Sequence, residues 1–490
     1  MPAYYLEAIT VTLGIFLLVA EAFVPGKQKS WVGLAAIVGL LAVLALTFRA
    51  IGPDQAPAGK AWASFALWDL YQYTSTAKFY KIVALVSAIF VLILAIDFRS
   101  VMARYTSGAK DESGTAEYYS LIVIATAAMM WMASAKHLSM LFVSLELLTV
   151  TFYILVAFMK RNVGSLEAGV KYLILGALST GFLVYGMAWI YGATGTLSME
   201  GIAAAAQATP SNTALLFGLS LMIIALGFKV GAAPMHFWIP DVYQGAPTPT
   251  TAFLSVGSKA AGFMALITVV APFAQSPYGS KIYGVLAILA CLTLLVGNFG
   301  AIPQNNFKRL LAYSSIANAG FLLLALAANR TDTADLTSPQ IVGFYLAGYL
   351  IMTLAAFFVL SIVRVQTDSD QIDALDGLAK RNPLLAIAIT VIMASLAGVP
   401  LTVGFLGKLF VFRAAVDAGM HTSVMIAAIT AAAGFYYYFK ILRAVWWNAP
   451  HERITLSLRG SSIFTFALAL LTVAIVVFGF YPQPLLQLIR

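Results

Sequence analysis

The feature that most constrains this chain is a succession of long apolar runs separated by polar connections. Several runs exceed the ~18 apolar residues that a membrane-spanning helix requires. Hydrocarbon offers the backbone no water, so a crossing segment must satisfy its own peptide groups, and a helix does so internally. Charged residues make up only 10% of the chain, against about 25% in soluble domains. The sequence therefore predicts an all-α polytopic membrane protein.

Fourteen apolar segments are predicted, and we number them 1 to 14 along the chain. They are Tyr4–Phe23, Trp31–Phe48, Ile82–Phe98, Tyr118–Met132, Leu138–Met159, Glu167–Tyr191, Ala214–Met235, Pro249–Ala271, Lys281–Ile302, Leu310–Ala328, Ile341–Val365, Pro383–Val416, Thr422–Trp446 and Ser462–Tyr481.

Segments 7 and 12 each carry helix-breaking residues beside a lysine. In segment 7, Pro234 follows Lys229, and in segment 12, Gly398 and Pro400 precede Lys408. Paired interruptions of this kind are typical of transporter folds built from internal repeats. We therefore predict two five-helix repeats, segments 4–8 and 9–13, with segments 7 and 12 broken and the second repeat inverted. The predicted divisions are 1–116 for segments 1 to 3, 117–272 and 273–447 for the repeats, and 448–490 for segment 14.

The distribution of basic residues predicts the orientation in the membrane. Of the 29 lysines and arginines, sixteen fall in one set of connections and nine in the opposite set, which includes both termini. The set of sixteen includes Lys308, and the set of nine includes Lys81. Positive residues accumulate on the cytoplasmic side. Both termini are therefore predicted outside the cytoplasm, and the net charge of +9 needs no nucleic-acid partner.

Sites for metals and redox cofactors are not recognisable in the sequence. The only cysteine, Cys291, lies in an apolar segment, and the four histidines show no metal-ligand spacing. A phosphate-binding loop, a dinucleotide fingerprint and an iron–sulfur cysteine run are all missing. We therefore predict no cofactor and no metal bound by this chain.

Lysines inside apolar segments are the strongest functional signal. A charge at the centre of a spanning helix costs roughly 2.5–3.5 kcal/mol on insertion scales, so it normally faces a polar interior and has a task. Lys259 follows Pro249 by ten residues, about 15 Å along a helix and near the midplane. Lys229 and Lys408 lie beside the two breaks, where freed backbone groups favour water. The alternative for Lys229 is a side chain that extends to the membrane surface.

Three further ionisable residues lie within or near the apolar segments. Glu146 in segment 5 is either a static partner that fixes helix packing or a carboxylate that takes part in proton transfer. Lys171 in segment 6 is four residues after Glu167, so the two residues form either a surface ion pair or part of an internal path. His236 is equally consistent with a structural role and a titrating one. Dispersed charges without a nucleophile–base pair suit moving charge better than making bonds.

Five stretches carry a family resemblance. They are GFKVGAAPMHFWIPDVYQGAPTPTTAFLSVGSKAAGF, LFVSLELLTVTFYILVAF, EAGVKYLILGALSTGFLVYGMAWIYGATGTL, NFKRLLAYSSIANAGFLLLAL and GVPLTVGFLGKLFVF. In combination they resemble the proton-translocating, antiporter-like membrane subunits of respiratory complex I (NADH–quinone oxidoreductase) and their chloroplast and cyanobacterial counterparts. The resemblance covers more than half of the chain and implies the fourteen-helix fold with inverted repeats.

The resemblance also implies roles for the buried charges. Glu146 and Lys229 would be the charged pair of the first half-channel. Lys259 would be the lysine of the central axis, and Lys408 the lysine of the broken helix in the second half-channel.

Three further positions follow from the same comparison. Lys171, with Glu167, would lie on the same hydrophilic axis, and His236 would stand between the lysines of segments 7 and 8. Family members often carry His where this chain has Asn318, and an amide cannot titrate.

The function implied is proton pumping driven by redox chemistry in other subunits of a bacterial inner-membrane complex. NADH, FMN, iron–sulfur clusters and quinone are expected in those partner subunits. The expected neighbours are the antiporter-like subunit M and small subunits such as K and J, together with the lipid bilayer and protons. A subunit of a multi-subunit sodium/proton antiporter or of a membrane-bound hydrogenase is the alternative function. A passive scaffold is a third, which buried lysines disfavour.

Overall fold

The computed structural model describes residues 1–24, 29–55, 64–106, 115–208, 212–331, 335–449 and 462–490. Within these ranges the regular structure is helical, and the β-type pairings are isolated bridges. The N-terminal helices are α1 (Tyr5–Glu21), α2 (Ser30–Thr47), α3 (Ser75–Asp97) and α4 (Arg99–Thr106).

The helices of the first predicted repeat follow. They are α5 (Ala116–Ala133), α6 (Leu138–Val156), α7 (Val163–Thr194), α8 (Met199–Ala208), α9 (Thr213–Val230), α10 (Trp238–Gly245), α11 (Thr248–Phe253) and α12 (Lys259–Val270). A π-helical turn, Leu254–Ser258, joins α11 to α12 so that the two form one continuous span.

The helices of the second predicted repeat and the C-terminus complete the chain. They are α13 (Gly279–Ala301), α14 (Phe307–Ala327), α15 (Ser338–Thr367), α16 (Leu378–Arg381), α17 (Pro383–Ala397), α18 (Val403–Asp417), α19 (His421–Trp446), α20 (Ser462–Phe480) and α21 (Gln483–Ile489).

The prediction of an all-α polytopic membrane protein is confirmed. Twelve helices in the described ranges are long and apolar enough to cross a membrane. Each of the fourteen predicted segments coincides with a helix or with a broken pair of helices. The two segments beyond the twelve are α1, with 17 residues, and the pair α17 and α18, with 15 residues each. The count of fourteen crossings, the four divisions of the chain and the inverted repeats stay predictions.

Both predicted breaks are present, and glycine forms each of them. Helix α9 ends at Val230 because Gly231 adopts φ +82°, a left-handed conformation that side chains with a Cβ rarely adopt. The helix therefore stops five residues before Met235, the predicted end of segment 7. Helix α17 ends in the same way at Ala397, because the next residue, Gly398, has φ +93°. The chain becomes helical again at Val403, where α18 begins.

The predicted start of segment 3 is wrong, and so is the placement of Lys81 in a connection. Helix α3 begins at Ser75, where the Thr74 side chain accepts a hydrogen bond from the Ala77 amide at 3.1 Å. Lys81 therefore lies inside the helix, fully buried, and its Nζ is 2.6 Å from Oε1 of the equally buried Glu7 on α1. This carboxylate makes the buried ammonium tolerable.

Two spans form the centre of the molecule. The apolar stretches of the span from α11 to α12 and of α15 are entirely buried, whereas α2, α7, α19 and α20 present most of their surface outward. A central helix meets protein on all sides, so its polar groups must find partners within the protein. The buried lysine of α12 is therefore held by neighbouring helices.

Candidate functional site

The first charged group joins helices α6, α7 and α9. Lys229 is in the last turn of α9, and its Nζ donates a hydrogen bond to Oγ1 of Thr149 at 2.5 Å. Glu146 lies three residues before Thr149, on the same face of α6, and accepts a hydrogen bond from Thr180 of α7 at 2.7 Å. Glu146 and Lys229 interact electrostatically, but they are not among the ion pairs within 4.0 Å in the described part of the chain. Each member of this predicted pair is therefore bound by a threonine hydroxyl, Lys229 by Thr149 and Glu146 by Thr180.

Lys259 is the first residue of α12, directly after the π-helical turn. Its Nζ donates to the backbone carbonyl of Ser315 on α14 at 2.5 Å, and also to Oγ of the same residue. The ring of Tyr349 lies 5.5 Å from Nζ, close enough for a cation–π contact. Single π-helical turns are often found at functional sites. The side chain is 2% exposed and is held by neutral groups.

Lys408 points back across the break in segment 12. Its Nζ donates to the carbonyls of Leu396 and Ala397, at 2.9 and 2.7 Å, which are the last two residues of α17. The final carbonyls of a helix have no partner within the helix and carry its negative dipole end. The break therefore supplies the acceptors for this buried ammonium, and the ring of Phe321 lies 5.3 Å from Nζ.

A polar cluster on α14 and its neighbours lies between the contacts of these two lysines. Asn318 donates from Nδ2 to the carbonyl of Ser314 at 2.8 Å and accepts from the Tyr345 hydroxyl at 2.8 Å. The hydroxyls of Ser314 and Tyr438 are 2.5 Å apart. Phe321, which contacts Lys408, stacks on the ring of Tyr345 at 6.3 Å. Asn318 thus takes part in the network as a fixed amide.

Lys171 lies near one end of the molecule, away from the deeply buried lysines. It forms ion pairs with Glu167 at 2.7 Å and with Asp241 at 2.8 Å, and its side chain is 42% exposed. Arg309 also binds Asp241, at 2.7 Å. Burial alone would raise the pKa of Asp241, but the hydrogen bonds from Lys171 and Arg309 outweigh it and hold that pKa below its ordinary value. In the described part of the chain, the carboxylates that pair with Lys171 are therefore those of Glu167 and Asp241.

These ion pairs border a polar cavity of about 370 Å³. Its charged lining residues come from α7, α10, α14, α15 and the connection after α15. They are Glu167, Lys171, Asp241, Lys308, Arg309, Arg364 and Asp370. The cavity opens at the end of the molecule that carries the larger set of basic connections.

His236 lies in the turn between α9 and α10. Its side chain is buried and lies beside the ring of Phe237, with 4.6 Å between ring centroids. Nδ1 has no hydrogen-bond partner among the described residues. The structure therefore places His236 next to the break in segment 7.

Sequence reasoning missed several charged residues. Asp241 is in a motif that carries the resemblance, yet its role as the shared partner of two cations depends on packing between helices. Lys308 is predicted in a connection, but it is the second residue of α14 and is 4% exposed.

Within the described ranges, no group of three or more His, Cys, Asp or Glu side chains could hold a metal ion.

The lysines and the two breaks all lie within one family-specific region. A family profile described as NADH:quinone oxidoreductase/Mrp antiporter, TM matches residues 135–434. The chain belongs to the NADH:quinone oxidoreductase/Mrp antiporter family. The matched region contains all six predicted site residues and begins after α5, so helices α1 to α5 are outside it.

Relatives within the NADH:quinone oxidoreductase/Mrp antiporter family match over nearly the whole chain. A protein of Heliobacterium modesticaldum named NADH-quinone oxidoreductase subunit N is 38% identical over 485 residues, which cover 98% of this chain and 96% of that protein. A chain in the structure of respiratory complex I from Thermus thermophilus with bound Aureothin is 32% identical, with a TM-score of 0.77 and 98% of each chain covered.

A second solved structure is the membrane-bound sulfane sulfur reductase, an archaeal respiratory membrane complex. One of its chains is 26% identical, with a TM-score of 0.85, covering 99% of this chain and 96% of that chain. Together these findings confirm the resemblance to antiporter-like membrane subunits of respiratory complexes. They do not test the roles of the individual charged residues.

Proposed function

We propose that this chain is a proton-translocating membrane-arm subunit of an NADH–quinone oxidoreductase in a bacterial inner membrane. The observation that carries the proposal is that Lys229, Lys259 and Lys408 are buried and bind neutral oxygen atoms. None of the three is within 4.0 Å of a carboxylate in the described part of the chain. A lysine held in this way can release its proton without leaving a fixed negative charge unpaired.

The burial of the three lysines suits stepwise transfer of charge. A positive charge on one buried lysine disfavours a second charge nearby, because Coulomb interactions are strong at low dielectric. A proton that arrives at one site therefore favours release from the next. Moving one charge across the membrane involves about 2.3 kcal/mol per 100 mV. Glu146 would stabilise the charged form of Lys229, and the break beside Lys408 would do the same through its carbonyls.

The energy for pumping would come from partner subunits. NADH, FMN, iron–sulfur clusters and quinone would be bound there, and this chain would contribute the proton path to the translocase. The match to a chain of respiratory complex I over nearly its whole length supports this arrangement. Subunit M and small subunits such as K and J are the proposed neighbours, and both termini would lie outside the cytoplasm.

A subunit of a multi-subunit sodium/proton antiporter is the second candidate, because the matching family also includes Mrp antiporters. The two candidates differ in what drives the protons. In closed membrane vesicles, the proposed function predicts that NADH oxidation acidifies the side of the membrane opposite the NADH, and that this needs no added sodium. Proton movement that follows a sodium gradient and ignores NADH would establish the antiporter instead.

The residue-level test uses Lys229→Ala and Glu146→Ala in the assembled complex. Both variants are expected to lower proton pumping and the coupled quinone reduction. Lys160→Ala is the control, because Lys160 is an exposed residue of the connection before α7. Unaltered pumping in both assembled variants would remove the basis for a relay through this pair.

A further inference from the structure

Two lysines line the polar cavity, Lys171 and Lys308, and only Lys308 is buried. Lys308 is buried, and its Nζ donates a hydrogen bond to the carbonyl of Ala246 at 2.7 Å. Ala246 belongs to the link between α10 and α11, where segment 8 begins. Lys308 therefore lies between the cavity and the central span that carries Lys259.

Lys308 differs from the other cations of the cavity in its partners. Lys171 and Arg309 bind Asp241, and Arg364 is 3.6 Å from Asp370. Within the described ranges, Lys308 has no carboxylate within 4.0 Å. Its ammonium is not fixed by an ion pair, so it can lose its proton more easily than its neighbours can.

Two hydroxyl groups extend from Lys259 to α10, the helix that borders the cavity. Lys308 and Ser315 are seven residues apart on α14, so they lie on the same face, about 10 Å apart along the axis. The hydroxyl of Tyr243, on α10, is 3.3 Å from Oγ of Ser315. The same Oγ accepts a hydrogen bond from Nζ of Lys259. Ser315 is therefore shared between the Lys259 ammonium and a tyrosine of the helix that borders the cavity.

We propose that Lys308 is the residue through which protons pass from this cavity toward Lys259. A hydronium ion in the cavity protonates the neutral amine of Lys308 and leaves water. A water molecule then accepts a proton from the ammonium and passes one to the Tyr243 hydroxyl. Tyr243 and Ser315 each accept one proton and release one, and the amine of Lys259 takes up the last. Lys308 is left neutral and is protonated again from the cavity, so every step balances.

This assignment rests on the proposed function, since it supplies the entry to the same path. A proton-transfer role for Lys308 differs from a structural role because only proton transfer requires Lys308 to lose its proton. Arginine keeps the positive charge and the hydrogen bond but remains protonated. A purely structural or electrostatic role tolerates Lys308→Arg, whereas a relay does not.

The test measures NADH-driven proton translocation by the whole assembled complex in closed vesicles. Lys308→Met and Lys308→Arg are both expected to slow translocation about a hundredfold, the lower end of the range for the loss of a proton-transfer group. Lys440→Met is the matched control, because Lys440 also donates to a backbone carbonyl, that of Gln304, and belongs to another helix of this end. Translocation at the unaltered rate by Lys308→Arg would overturn the proposal.

Two further variants make the outcome decisive. Tyr243→Phe removes one hydroxyl with little change of volume, so it carries the test if a Lys308 variant does not assemble. A slowed rate supports the route, and an unaltered rate overturns it.

Lys259→Met separates this proposal from the proposed function. If Lys259→Met stops translocation while the Lys308 variants do not slow it, only the entry route is wrong. If Lys259→Met also pumps normally, the proposed function is wrong.

Discussion

The hydroxyl of Thr149 offers a sharp test of the Glu146–Lys229 pair. It accepts the hydrogen bond from Lys229 at 2.5 Å and is itself bonded to the carbonyl of Leu145 at 2.6 Å. Thr149→Val removes the acceptor while the shape of the side chain is kept. A hydrogen bond to a charged group contributes about 1.5–3 kcal/mol, and 1.4 kcal/mol is a factor of ten in an equilibrium. The ratio of charged to neutral Lys229 should therefore fall about tenfold or more.

Thr151→Val is the control on the same helix. The Thr151 hydroxyl also bonds to a carbonyl one turn earlier, that of Leu147 at 2.7 Å, but it has no contact with Lys229. The assay is NADH-driven acidification by the assembled complex in closed vesicles. We expect Thr149→Val to slow acidification severalfold, since the charged lysine is one state of the relay. Equal rates for the two valine variants would refute the reasoning that the Thr149 hydroxyl stabilises the charged form of Lys229.

Three other perturbations follow from the same geometry. Lys81→Met leaves Glu7 buried and without its cation, so it should destabilise the N-terminal helices by about 3–5 kcal/mol. Adding Glu7→Gln should restore much of this stability, as measured by thermal unfolding. A double variant that is as unstable as Lys81→Met would contradict the pairing. Asp241→Asn should lower stability at neutral pH, because the lowered pKa of Asp241 contributes stability above the ordinary aspartate range. This difference should vanish as pH falls through the lowered pKa, and a constant difference down to low pH contradicts it. Gly398→Ala should lower the free energy of unfolding by about 1–2 kcal/mol, because alanine disfavours the left-handed φ. It should also displace Lys408, whose Cδ would lie 3.0 Å from the new Cβ. Normal pumping and normal stability would contradict this prediction.

The helices were largely predictable because the length of an apolar run nearly determines a spanning helix. Segment 5 and α6 begin at the same residue, Leu138. The break in segment 7 was predicted near Pro234, but the left-handed Gly231 ends the helix first. A sequence shows that a glycine permits such a conformation, and packing decides where the chain adopts it.

The partners of the charges were much less predictable. Glu7 and Lys81 are 74 residues apart, and Lys171 and Asp241 are 70 residues apart. No local pattern predicts such pairs, because tertiary packing brings them together. The sequence marks each charge as costly, and only the structure shows whether a carboxylate, a hydroxyl or a helix end stabilises it.

Lys308 illustrates the same limit from the other side. It follows a connection and precedes Arg309, so its sequence context indicates an exposed basic residue at the membrane surface. The link between α10 and α11 covers it, and the carbonyl of Ala246 becomes its acceptor. Burial of a charge near the end of a helix therefore depends on a neighbouring loop that lies about sixty residues earlier.

The most direct measurement of the central claim is proton translocation by the assembled complex with Lys259→Met. Lys259 is the most deeply buried of the three lysines on the path, and methionine keeps its length while the charge is removed. Lys281→Met, which alters an exposed lysine at the start of α13, is the control. The account predicts that NADH-driven acidification of closed vesicles is lost with Lys259→Met and retained with Lys281→Met. Acidification at the unaltered rate by Lys259→Met would contradict it.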